Sequence, residues 1–198
     1  MVTKLTSRSS DWPSGEDRKK AFAEYTVEVG RVMHAWSYLH EILSQLFVVA
    51  TRAERSIALA IWYSTESCEA QRRMLSAAVK ANTKIVSRHG DFKWLFDQCN
   101  QLSQRYYDAT NTPSSLYLGT HIGGNEILAV SYIYGHPRAN NLSGRKLLVE
   151  FDWCERYCET LALFAAKMER SLSSSGDDSW PDRPRPPTSG LNKKKRSD

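Results

Sequence analysis

Arg105, Tyr106, Tyr107, Asp108 and Asn111 stand close together where an apolar-periodic stretch runs out before Pro113. An arginine offers a fork of donors to a phosphate or carboxylate, tyrosines offer ring faces and hydroxyls, and Asp and Asn add acceptors. Such a junction suits the binding of an anion. With a titrating histidine beside it, the same set suits cleavage of a phosphodiester by general acid–base chemistry. The nearest downstream histidines are His121 and His136. The catalytic candidates are therefore Arg105, His121 and His136, and the ligand-binding candidates Arg105, Tyr107, Asp108 and Asn111. Arg105 also has a plainer reading. A cation in the last turns of a helix meets the negative end of the dipole, and Asp108 is a partner at i+3.

The elements that must position these residues read as helices. Phe22, Tyr25, Val29, Val32, Trp36, Leu39, Leu43, Leu46 and Ala50 alternate in steps of three and four, one buried stripe of a long helix starting near Glu16 or Asp17. Glu54 to Tyr63 is a second, short helix, apolar nearly all round and so expected to be buried. Ser64 and Thr65 cap a third helix to about Arg88, stopped by Gly90. Asp91 caps a fourth, with Leu95, Cys99, Leu102 and Tyr106 facing inward. After Pro113 the period becomes alternating. Residues 116–122 and 127–134 flank Gly123-Gly124-Asn125, a hairpin signal, and Lys146 to Phe151 reads as a third strand. Asp152 and Glu155 then open the last helix, with Cys154, Cys158, Leu161, Ala165, Met168 and Leu172 on its inner face.

The expected fold is mainly α: an up-down bundle of about five helices with a small antiparallel β-meander at about 115–151, inserted before the last helix. Residues 1–15 form a disordered arm and 16–173 one domain. Residues 174–198 form a disordered basic and Pro-rich tail, in which six cations face four carboxylates.

Composition narrows the classes. The chain has 198 residues, a net charge of +5 and 41% apolar residues, ordinary globular values. It has no run long enough for a membrane span and no secretory h-region, so a cytoplasmic location is expected. The four cysteines are then reduced thiols. Cys154 and Cys158 lack the second pair of a structural zinc site, so no metal or cofactor is expected. His34, His40 and His89 are isolated and read as surface or hydrogen-bonded residues. No phosphate-binding glycine loop, nucleophile elbow or zinc-protease motif occurs.

Trp36-Ser-Tyr-Leu39-His40-Glu41 on the first helix, Arg72-Arg73-Met74-Leu75 on the third and the Arg105 junction ending the fourth resemble the HEPN (higher eukaryotes and prokaryotes nucleotide-binding) helical domains of bacterial type, over residues 18–172. Active members pair an arginine with a histidine, Arg-x4-6-His, in metal-independent ribonucleases. Here residues 109–112 read Ala-Thr-Asn-Thr, so the motif is degenerate. The resemblance implies a non-catalytic binding or regulatory module contacting RNA or a nucleotide near Arg105. Tyr117, Tyr132 and Tyr134 of the hairpin are candidates for an interface with a second copy or a protein partner. The alternatives are a metal-independent ribonuclease using Arg105 with His121 or His136, and a purely structural interaction subunit.

Overall fold

The computed structural model describes residues 15–111, 114–115, 128–129, 147–174 and 179–188. Within them are five α-helices: α1 (Gly15–Thr51), α2 (Arg55–Tyr63), α3 (Cys68–Ala81), α4 (His89–Asn111) and α5 (Leu147–Ser173). A 3-10 turn, Thr83–Arg88, precedes α4. The mainly α bundle expected from the stripes is what forms.

Helix α1 lies chiefly along α5. Val32, Trp36, Leu39, Leu43 and Leu46 of its stripe are buried, whereas Phe22 at the head of the stripe is exposed. The inward face takes hold at Tyr25, whose ring lies 5.9 Å from that of Phe151. At its other end Arg52 turns with φ 57°, and its N–H donates to the Val48 carbonyl at 3.1 Å. A side chain in this left-handed conformation closes the helix where glycine would do so without strain.

The β-meander is corrected. Of the expected strand Lys146–Phe151, the described residues Leu147 to Phe151 are helical, because α5 begins at Leu147. Leu147, Phe151, Cys154, Cys158, Leu161, Ala165 and Met168 step by four and three without a break, and all are buried. The apparent alternation over Leu147 to Phe151 is the first turn of that stripe, and burial of a full helical face outweighs the weak β-propensity of five residues. The extended pairing described is a two-residue antiparallel bridge, Ser114 opposite Ala129 and Ser115 opposite Leu128. No hairpin sheet exists among the described residues. Gly123-Gly124-Asn125, Tyr117, Tyr132 and Tyr134 lie outside them.

Two further expectations change. The third helix stops at Ala81 rather than Arg88, because Asn82 turns out of it. The Asn82 side chain accepts from Lys84 N at 3.0 Å to start the 3-10 turn, and its Nδ2 donates to the Ala50 carbonyl at 2.9 Å. One asparagine thus ends a helix, starts a turn and ties both to the end of α1. Asn82→Ala removes the cap and leaves the carbonyl short of a donor, and should lower stability by about 2 kcal/mol in urea unfolding. Helix α2 buries Ala58 and Trp62 but exposes Ile57 and Ile61. A nine-residue helix on the rim can cover one face only.

Residues 179–188 also differ from the expected tail. They run over the bundle, with Trp180 partly buried against the core.

Candidate functional site

Arg105 does not stand free at the junction. Its guanidinium pairs with Glu150 of α5 at 2.8 Å, with side-chain exposures of 32% and 6%. This partner was hidden in the sequence because Glu150 fell in the supposed strand. A buried carboxylate needs a cation, so Arg105 holds α4 to α5 before it can hold a ligand. Tyr106 turns inward and stacks on Trp36, with ring centres 5.1 Å apart and planes 16° from parallel. Tyr107 is exposed. Asp108 is half-buried on α4. The side chain of Asn111, and all of His121 and His136, lie outside the described residues. The structure therefore joins Arg105 to Glu150 and leaves the proposed pairing with a histidine without geometry.

A second constellation, which sequence reasoning did not assemble, lies between α3 and α4. Arg72 is 6% exposed. Its NH1 donates to His40 Nε2 at 3.0 Å and its Nε to Asn100 Oδ1 at 3.2 Å. The guanidinium carbon lies 5.5 Å from the centre of the Trp36 ring. On the far side of the imidazole, His40 Nδ1 lies 3.1 Å from the Trp36 carbonyl. A carbonyl only accepts, so the proton sits on Nδ1 and Nε2 is left as an acceptor for Arg72. Burial pushes His40 down from 6.5 to about 4, the Arg72 charge pushes the same way, and the bond to the Trp36 carbonyl opposes them. The imidazole is thus neutral at pH 7. Among the described residues, Arg72 is held by neutral acceptors and a ring face, with no carboxylate beside it. Trp36 Nε1 is buried with no acceptor among them.

Arg72 forms part of the floor of a groove of about 820 Å³ between the two helices. On α3 the wall is Glu69, Arg73, Ser76 and Lys80, one helical face. On α4 it runs from His89 and Lys93 through Asn100 to Gln104 and Tyr107, again one face. His89 Nε2 donates to the Val79 carbonyl at 2.8 Å and fastens the start of α4 to the end of α3. Arg73 and Lys93 are well exposed and meet Glu69 and Asp97 at 4.0 and 2.6 Å. Exposed pairs of this kind are worth less than about 1 kcal/mol, so these cations can turn to another anion at little cost. The sequence held a signal for this groove: polar residues recur at helical spacing on the outer side of both stripes.

Three of the four thiols lie inside the bundle. Cys99, Cys154 and Cys158 are buried, and burial pushes Cys99 up to about 12. The shared hydrogen bond with Cys154, followed by burial, raises Cys158 further. Cys99 and Cys158 therefore stay protonated, and the buried thiols pack as small apolar groups. No helix among the described residues is long and apolar enough to cross a membrane.

Fold and site together define a helical bundle with a basic groove between two antiparallel-facing polar stripes. No family model, no curated protein and no solved structure matches the chain.

Proposed function

We propose that the chain is a binding or regulatory module that takes a phosphate-bearing ligand, RNA or a nucleotide, in the groove between α3 and α4. The observation that carries this is Arg72: a buried guanidinium whose hydrogen-bond partners among the described residues, His40 and Asn100, are neutral. Burying a charge without an opposite charge costs several kcal/mol, and a fold keeps such a group where an anion arrives to meet it. Arg73, Lys80 and Lys93 along the walls extend the positive field, and the groove ends at Tyr107, next to the Arg105 junction. Tyr107 adds an exposed ring on which a base can stack.

The test is fluorescence polarisation with a labelled single-stranded RNA and with ATP as competitor. Affinity should fall with salt, with a slope of about −2 to −3 for three to four neutralised phosphates. Arg72→Gln should weaken it at least tenfold while the circular dichroism spectrum is unchanged. Binding that is absent, or indifferent to Arg72→Gln, rejects the reading.

A further inference from the structure

Residues 179–188 read Ser-Trp-Pro-Asp-Arg-Pro-Arg-Pro-Pro-Thr. Four prolines remove four backbone donors and favour an extended chain, so this stretch can join the bundle only through side chains and carbonyls. It follows the seam between α4 and α5 and runs opposite to α5. Trp180 and Pro181 lie beside Lys167 and Ser171 near the end of that helix. Seven residues on, the Pro187 carbonyl accepts from Trp153 Nε1 at 2.9 Å. Seven extended steps cover about 22 Å. That roughly matches the helix length between those points, about 27 Å.

Three anchors hold it. Asp91, in the first turn of α4, accepts from Trp180 Nε1 at 2.8 Å and from Arg183 Nε at 2.6 Å. Arg88 places its guanidinium 4.6 Å from the centre of the Trp180 ring. Trp153 holds the far end.

None of the fully buried apolar side chains comes from this stretch. Asp182, Arg183, Arg185 and Pro186 are exposed. The segment sets Trp180 on the margin of the core and is gripped by an acid, a cation and an indole. That is how a protein holds a peptide, with one aromatic anchor and charge complementarity over an extended backbone.

We propose that the α4–α5 seam is a peptide-recognition site for a proline-rich segment carrying Trp-Pro and an arginine three residues after the tryptophan, and that its occupant in trans is the same segment of a second copy of this chain. The contacts made in cis and in trans are identical, so exchange changes only the tether. A short tether presents the cis segment at an effective concentration of about millimolar. The seam is therefore self-occupied until its own segment is displaced or altered.

Two full-length variants test this. Trp180→Ala with Arg183→Ala blunts the segment and opens the seam, and Asp91→Ala blunts the seam and leaves the segment intact. A labelled peptide of residues 179–188 should bind the opened chain at least tenfold more tightly than the unaltered one, in which the cis segment competes. Mixing the two variants should produce an association in sedimentation that exceeds that of either alone. A peptide that binds the opened chain no better than the unaltered chain rejects the site. Peptide binding without association of the mixed variants rejects the exchange between copies. If the opened chain loses its cooperative helical melting, the segment is part of the core and the proposal also fails.

Discussion

Arg105→Ala should destabilise the bundle by about 3 kcal/mol, and Glu150→Gln by only about 1 kcal/mol. The asymmetry follows from burial. Glu150 is 6% exposed and Arg105 32%. Removing the arginine takes a cation from a carboxylate held away from water, whereas removing the carboxylate's charge leaves an arginine that can rehydrate. For a chain of this size, about 3 kcal/mol corresponds to a fall of roughly 6 to 12 °C in Tm. Thermal melts of the two variants with the wild type measure both effects, and equal shifts would contradict the burial argument. The result also bears on function. Loss of RNA binding in Arg105→Ala would report a loosened α4–α5 contact as readily as a lost ligand, so Arg72 is the cleaner position at which to probe the groove.

The second large effect is on pH. His40 goes from 6.5 in the unfolded chain to about 4 in the fold, chiefly through burial. As the medium is acidified below 6.5, the unfolded chain takes up this proton and the folded chain refuses it. The stability tied to His40 is therefore complete above pH 6.5 and drains away as pH falls toward 4. A gap of this size is worth about 3 kcal/mol. Urea unfolding at pH 7.5 and at pH 4.5 should show the loss. Other carboxylates also titrate in this range, so the His40 share is the difference between wild type and His40→Gln, whose amide oxygen can still accept from Arg72. If the two chains lose stability in parallel, the imidazole is not buried neutral. Protonation of His40 would also remove an acceptor of Arg72 and set a second positive charge 3.0 Å from it, a repulsion that adds to the loss of stability.

Much of the bundle was readable from residue spacing. The α1 stripe from Tyr25 to Ala50 and the α4 positions Leu95, Cys99 and Leu102 are where the period places them, because a helix in a bundle must bury one face whatever its neighbours are. The errors have physical sources. Lys146 to Phe151 satisfies a period of two and a period of 3.6 at once, and only continuity with Cys154 and Cys158 decides between them. Helix α2 looked buried because its composition is apolar, yet exposure depends on what lies against it. Asn82 reads as an ordinary helix residue until the Ala50 carbonyl stands within reach. The Arg72–His40 contact joins residues 32 apart on separate helices, and no local pattern encodes which helix lies beside which. Composition marked 174–198 as unable to build a core. It was silent on whether Trp180 and Arg183 would find an acid and a cation on a core built by others.

The alliance of α1 with α5 also matters for biosynthesis. Among the described residues, the helix made first leans mostly on the helix made last, and 95 residues separate Thr51 from Leu147. At bacterial to eukaryotic elongation speeds of about 5 to 20 residues per second, the ribosome needs roughly 5 to 20 s to span that gap. Throughout it, the part of the α1 face that packs against α5 has no permanent cover. This chain should therefore be most vulnerable to aggregation, and most dependent on chaperones, as a nascent polypeptide whose last helix has not yet emerged.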